Sequence, residues 1–361
     1  MVMNSIKARI ALVFFLSCFS MSLMAQIREL LQREIDKALV FDINMDTSKV
    51  TGWVIACIDN DSTWIYGYGR VAKTTKVAPD ANTIFEIGGL TKVFTGTIIH
   101  RMVEKKILHY DSTINHYLRP YQQFPLGNTI TILQLMTHTS GLPKLPNNFG
   151  LNEYSQDQPY QTYTEQTFFE DLKTLDKEAI NTGLYLYSHL NHAILEKIIE
   201  NKGGYVDLRK IENRLLDTTL VFAQGYNIGK LPVQSWRFNE TFRYSLGIKA
   251  SMNELVEFMK VHMGLKDTSQ FKSLSETQKP LYKTNIDKST YSGKIWHVLK
   301  QKKNVEICLQ SGSTNGQSSF VAFVPNTKTG VIVLANSREA QGQLGMIILR
   351  ALNDNWKRRD N

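Results

Sequence analysis

Phe85-Glu86-Ile87-Gly88-Gly89-Leu90-Thr91-Lys92-Val93-Phe94-Thr95-Gly96 is the stretch on which the reading of this chain turns. From Gly89 to about Lys105 the residues predict a helix that is apolar nearly all round, with Leu90, Val93, Phe94, Ile98, Ile99 and Met102 spread over its faces. A helix without a polar face belongs inside a large core. Lys92 breaks the pattern. Almost one turn beyond Gly89, it shares that residue's face, and a lysine on so apolar a helix is expected to face a site rather than solvent.

The chain has 361 residues, too many for one small core, which predicts one large α/β unit or two lobes. Residues 1–25 have the pattern of a secretory leader: Lys7 and Arg9, the apolar run Ile10 to Leu16, and a small-residue exit at Met24-Ala25 before Gln26. That run is shorter than the ~20 residues of a spanning helix, so the mature chain is expected to be exported, periplasmic or extracellular, with no transmembrane segment. Leu16-Ser17-Cys18 only weakly matches a lipoprotein box, and Phe15 departs from it, so a lipid anchor at Cys18 is not the expectation.

The leader carries no acidic residue, so losing Lys7 and Arg9 takes the formal charge from +9 to +7. The excess is scattered. Its densest run, Lys300-Gln301-Lys302-Lys303, suits a solvated hairpin tip and not a nucleic-acid groove. Attraction to anionic cell-envelope components is the lesser option. Cys57 and Cys308 are the only cysteines after residue 25, too few for a disulfide framework. The eight histidines show no metal-site spacing, and no metal or cofactor is expected. Gly67-Tyr68-Gly69 lacks the ending of a phosphate loop and reads as strand.

Working outward, Ile27 to Val40 repeats apolar residues at helical spacing. Trp53 to Ile58, the turn Asn60-Asp61-Ser62 and Thr63 to Gly69 predict a hairpin. Thr129 to Pro143 predicts a helix with a Gly/Pro stop. Residues 144–165, rich in Asn, Gln, Pro and Tyr, predict a long loop of the kind that serves function. An extended segment leads into a helix over Tyr185 to Ile199, and Met252 to Met263 is amphipathic. Strands return at Lys294 to Leu299, Val305 to Gln310, Ser318 to Val324 and Thr329 to Ala335, with a turn at Asn326-Thr327-Lys328 and a last helix over about Gln341 to Trp356. The simplest architecture is an α/β (α+β) domain over 26–361. In it, a sheet lobe drawn from about 26–105 and 290–361 receives a mostly helical insert over about 106–289.

The opening stretch resembles the Phe-x-Ile-Gly-Ser-x-x-Lys-x-Phe-Thr segment of the serine β-lactamase and penicillin-binding-protein superfamily. Further resemblances follow in order: Leu135-Met-Thr-His-Thr-Ser-Gly-Leu-Pro143, Tyr187-Ser188-His189, Leu246-Gly-Ile-Lys-Ala-Ser251 and Ser318-Ser-Phe-Val-Ala-Phe-Val-Pro325. Together they span the mature chain and are similar to the class C β-lactamase and esterase-like branch. The resemblance implies a β-lactamase-like fold, an antiparallel sheet flanked by helices beside an all-α region.

By that resemblance three segments converge on a substrate carbonyl: Ser-x-x-Lys, Tyr-x-Asn, and a strand ending in His-x-Gly or Lys-Thr-Gly. Lys92, Tyr187 and His189 take the catalytic positions, and Gly89, Gln310, Ser311, Gly312 and Ser313 the substrate-binding ones. Gly89 stands where the nucleophilic serine would be, His189 replaces an amide with a titratable ring, and Gln310 carries no charge for a substrate carboxylate. The oxyanion donors would be the main-chain N–H groups of Gly89 and Ser313. Thr91 is expected to bond to backbone and His138 to be structural. The strands of Cys57 and Cys308 would have two others between them, ~14 Å apart and beyond bridging reach.

Three departures in three segments imply a pseudoenzyme that binds an acyl- or peptide-like ligand, or regulates a partner. The alternatives are a hydrolase or esterase rewired around Lys92, Tyr187 and His189, and a structural interaction module.

Overall fold

Among the described residues there are twelve strands: β1 (Trp53–Asp59), β2 (Ser62–Tyr68), β3 (Ile84–Glu86), β4 (Gly225–Tyr226), β5 (Pro232–Val233), β6 (Lys249–Ser251), β7 (Tyr282–Lys283), β8 (Thr290–Ser292), β9 (His297–Lys300), β10 (Glu306–Ser313), β11 (Ser318–Val324) and β12 (Thr329–Ala335). The computed structural model describes residues 26–42, 51–149, 158–176, 178, 180–203, 220–266, 268–338 and 341–359. The expected leader with Cys18, and residues 150–157 of the expected long loop, lie outside them.

Eight of the strands form one antiparallel sheet in the order β2-β1-β12-β11-β10-β9-β8-β7. The first turn is tight because Asn60 accepts φ +51°, a conformation asparagine tolerates. β1, β11 and β12 are buried along their whole length because both faces of the sheet are covered. Successive side chains point to opposite faces. Trp53, Ile55 and Cys57 meet the first helix (residues 26–37) and the C-terminal helix Gln341–Arg359 through Leu31, Ile35, Leu344 and Ile348. Val54, Ala56 and Ile58 meet the larger core, with Val93, Leu255, Met259 and Phe323. The first helix runs on into a wider turn at Ala38–Asp42.

The larger core is built on a helix that begins as a tight turn, Gly88–Leu90, and continues as Thr91–Glu104. Its buried residues include Thr91, Lys92, Val93, Thr95, Gly96 and Ile99. Polar members of this set find local partners: Thr95 Oγ1 bonds the Tyr244 carbonyl and Thr97 Oγ1 the Val93 carbonyl. Met252–His262 forms a helix with a capping box at Ser251 and Glu254, as its amphipathic pattern predicts.

Three expectations need correcting. Thr129 to Pro143 is not one helix: only Ile132–Met136 is helical, capped by Thr131. The chain then reverses through His138 at φ +58° and Gly141 at φ +76°, which no α-helix accommodates. The strand expected from Lys294 starts at His297, because Gly293 N–H closes a turn on the Trp296 carbonyl at 2.8 Å. The sheet also reaches back to β7, before residue 290, and the middle of the chain carries its own small ladders, β3 with β6 and β4 with β5.

Candidate active site

The start of the central helix is pressed onto the end of β10, and two glycines make that contact possible. A Cβ on Gly312 would collide with the Ile87 carbonyl and stand 2.8 Å from Gly89 N. One on Gly88, already at φ +51°, would lie 2.6 Å from Ser313 N. Real Cβ atoms do not come so close, so backbone meets backbone here.

The register of β10 decides which groups face the helix. Thr314 N–H donates to the Gln317 carbonyl at 2.9 Å across the Asn315-Gly316 turn, so those two residues form a hydrogen-bonded pair. Hydrogen-bonded and non-bonded pairs alternate along an antiparallel ladder. Ser313 and Ser311 therefore direct their N–H and C=O groups away from β11. The Ser313 N–H and the Gly89 N–H are thus neighbours at a helix start, an arrangement suited to a partly negative oxygen.

At Gly89 the missing side chain leaves a space with defined walls. An ideal Cβ there would stand 3.1 Å from Tyr187 Oη and 3.1 Å from the Ser311 carbonyl oxygen. Lys92 is 1% exposed. Its Nζ lies 2.9 Å from His189 Nδ1, donates to the Ser245 carbonyl at 3.0 Å, and stands 5.3 Å from the centre of the Tyr187 ring. Burial, and then the charge of Lys144, hold its amine well below the ordinary lysine pKa. Tyr187 and His189 arrive together because Ser188 caps the helix His189–Asn201, accepting from Asn191 N–H, while its own Oγ donates to the Pro143 carbonyl. Burial pushes the Tyr187 phenol up; burial and Lys92 push the His189 imidazole down.

The expected residues thus gather in one cleft. Gly89, Tyr187, His189, Gln310, Ser311, Gly312 and Ser313 line it, and Lys92 lies behind His189. Its volume is about 1170 Å³, with Tyr160, Trp236, Leu145 and Ile286 adding apolar surface. Thr91 bonds backbone as expected, its hydroxyl accepting from Ile248 N–H at 3.2 Å. His138 accepts from Ser188 N–H at 3.2 Å, and its ring also lies 4.6 Å from that of Tyr187, within the cluster.

Sequence reasoning missed His297, Tyr185 and Lys144, which line the same cleft. His297 stands opposite Leu309 in the β9–β10 ladder, with Nδ1 3.2 Å from Gln310 Oε1 and Nε2 2.7 Å from the Tyr185 hydroxyl. Burial holds its pKa down at about 4. The signal for Tyr185 was present: in an extended segment residues two apart share a face, and Tyr185 precedes Tyr187 by two. Nothing in the spacing of His297 announced its partner. Among the described residues no group of His, Cys, Asp and Glu is arranged to hold a metal ion.

Comparison with known proteins bears on the family and the fold. The Beta-lactamase family model matches residues 37–352. The chain is 25% identical to a beta-lactamase of Psychrobacter immobilis over 356 residues, covering 86% of this chain and 85% of that protein. It is 26% identical to the protein flp of Staphylococcus aureus strain N315 over 329 residues, 84% of this chain and 63% of that one. A solved class C beta-lactamase superposes with a TM-score of 0.74 at 22% identity, covering 90% of this chain and 97% of the other. A beta-lactamase/D-alanine carboxypeptidase from Pseudomonas syringae does so at 0.72 and 20%, over 89% and 98%.

Proposed function

This chain belongs to the Beta-lactamase family, a serine-hydrolase type, and from that premise we propose that it is an exported, catalytically impaired member. It holds an acyl- or peptide-like ligand in the Gly89 cleft without forming an acyl-enzyme.

The observation that carries this reading is the space at residue 89, walled by the Tyr187 hydroxyl and the Ser311 carbonyl where a nucleophile would have to stand. Of the hydroxyls nearby, Ser188 Oγ donates to the Pro143 carbonyl, Ser313 Oγ donates to the Thr314 carbonyl, Thr91 Oγ1 accepts from Ile248 N–H, and Ser311 is exposed on β10. What remains suits reversible binding of an acyl oxygen by the Gly89 and Ser313 N–H groups. Export rests on the leader pattern of residues 1–25.

Intact-mass measurement after incubation with penicillin and with a fluorophosphonate tests the proposal. No adduct is expected, together with thermal stabilisation by at least one acyl or D-amino-acid peptide ligand. A stoichiometric adduct on Ser188, Ser311, Ser313 or Thr91 overturns it. The contact of Lys92 Nζ with His189 Nδ1 supports a second reading, in which a neutral amine activates a water in the vacated space. Turnover of an activated ester that Lys92→Met abolishes would put that reading first.

A further inference from the structure

Gln310 occupies the strand position beside the cleft, and its side-chain oxygen is held by two contacts. Its Oε1 accepts the Ser311 N–H at 3.3 Å and stands 3.2 Å from His297 Nδ1. A peptide N–H can only donate, so the atom it meets must be the amide oxygen, not the amide nitrogen. That oxygen in turn can only accept, which makes His297 Nδ1 the protonated nitrogen of a neutral ring. Nε2 is then an acceptor, and the Tyr185 hydroxyl at 2.7 Å donates to it. The three side chains form one directed chain: Tyr185 O–H to His297, His297 N–H to Gln310, and Gln310 NH2 onward. That last group has no partner among the described residues, and Gln310 lines the cleft.

We infer that this cleft selects its ligand by a neutral carbonyl, an ester or amide oxygen, and not by a carboxylate, and that His297 and Tyr185 are the positioning residues that set the choice by locking the Gln310 amide with its NH2 toward the ligand. The inference rests on the ligand-binding reading above. A directed chain of donors polarises its last member, which suits an uncharged acceptor. A carboxylate at the same place would give up its water for a neutral amide, a poor exchange for a full charge. The cations that also line the cleft, Lys144 and Arg338, are exposed and keep their own water. The buried Lys92 is held toward its neutral form.

Two measurements test this. In protein labelled with 15N-histidine, His297 is expected as the Nδ1–H tautomer at pH 7; an Nε2–H tautomer overturns the chain of donors. In calorimetry, N-benzoylglycine methyl ester is expected to bind about tenfold more tightly than N-benzoylglycine. Gln310→Lys should reverse that order. His297→Ala should bring the ratio toward one, Tyr185→Phe should reduce it, and His297→Asn, whose amide can still donate to Gln310 Oε1, should restore it. If the acid binds as well as the ester, or His297→Ala leaves the ratio unchanged in a folded protein, this inference falls and the binding cleft stands. If neither compound binds, the ligand-binding reading falls and takes this one with it.

Discussion

Lys92 Nζ lies 2.9 Å from His189 Nδ1, so the lysine of the central helix meets an imidazole that burial and this same lysine keep uncharged. Burying an amine with two partners is costly, and replacing it with an apolar chain of similar length often stabilises. Lys92→Met is therefore expected to raise stability by about 1 kcal/mol while weakening any acyl ligand. Thermal unfolding and calorimetry on the same preparation check both. A lower midpoint would mean that the bonds to His189 and Ser245 outweigh the desolvation.

Gly89→Ser places a Cβ 3.1 Å from both Tyr187 Oη and the Ser311 carbonyl, closer than side chains ordinarily pack. The expected result is a loss of about 1 kcal/mol and the appearance of slow acylation by an activated ester, read by mass. Adding Gln310→His and His189→Asn should quicken it. A triple variant that folds, takes no acyl group and turns over no ester would show that this cleft is not a former acyl-enzyme site.

Gly312→Ala and Gly342→Ala form a contrasting pair. The first drives a Cβ into the Ile87 carbonyl and to 2.7 Å from Leu90 N, both backbone, and should cost more than about 3 kcal/mol. The second meets only the Phe320 ring at 3.6 Å, and on a helix should be neutral or gain up to about 1 kcal/mol. Similar losses in urea titrations of the two would contradict the close approach of helix and strand.

Acid should destabilise the protein early. Burial holds the pKa values of His138, His189, His192, His262 and His297 below the ordinary imidazole value, His297 at about 4 and His262 at about 3. Each folded-state ring therefore binds fewer protons than its unfolded counterpart once the pH drops below about 6.5. Stability is full above that pH and falls as pH falls toward the folded values, by up to about 1.4 kcal/mol per pH unit for each ring. Urea unfolding at pH 7 and pH 5 measures the slope, which His297→Asn should make shallower. Equal stability at the two pH values would refute it.

Cys57 and Cys308 should count as two free thiols under denaturing, non-reducing conditions. Between their strands lie β12 and β11, as the expected order had it. The side chains also belong to the cores on opposite faces of the sheet. Zero thiols in a monomer would be incompatible with this arrangement.

Most of the fold was legible because its strongest signals are local. β11 and β12 coincide with the predicted Ser318 to Val324 and Thr329 to Ala335, where apolar runs end at a turn that Lys328 makes at φ +51°. The Thr129 to Pro143 helix failed because its apolar residues feed several contacts at once. Ile130 accepts from Ile114 N–H through its carbonyl, and the chain must then reverse to bring His138 beside Tyr187. In the site, Gly89, Lys92 and Tyr187 were readable because motif spacing brings them to one place. The pairing of His297 with Tyr185 was not, since it depends on how β9 lies against β10 and on a loop segment distant in sequence.

The pairing of β1 with β12 also bears on how the molecule is made. Asp59 of β1 lies against Thr329 of β12, and β1 has only the edge strand β2 on its other side. At a synthesis rate of ~10 residues per second, roughly half a minute separates the emergence of these partners. Until β12 arrives, the N-terminal hairpin can neither join the sheet nor bury its Trp53 face, and pairings so distant in sequence form slowly. The nascent protein thus stays open through most of its synthesis, in a form that a holding chaperone can grip.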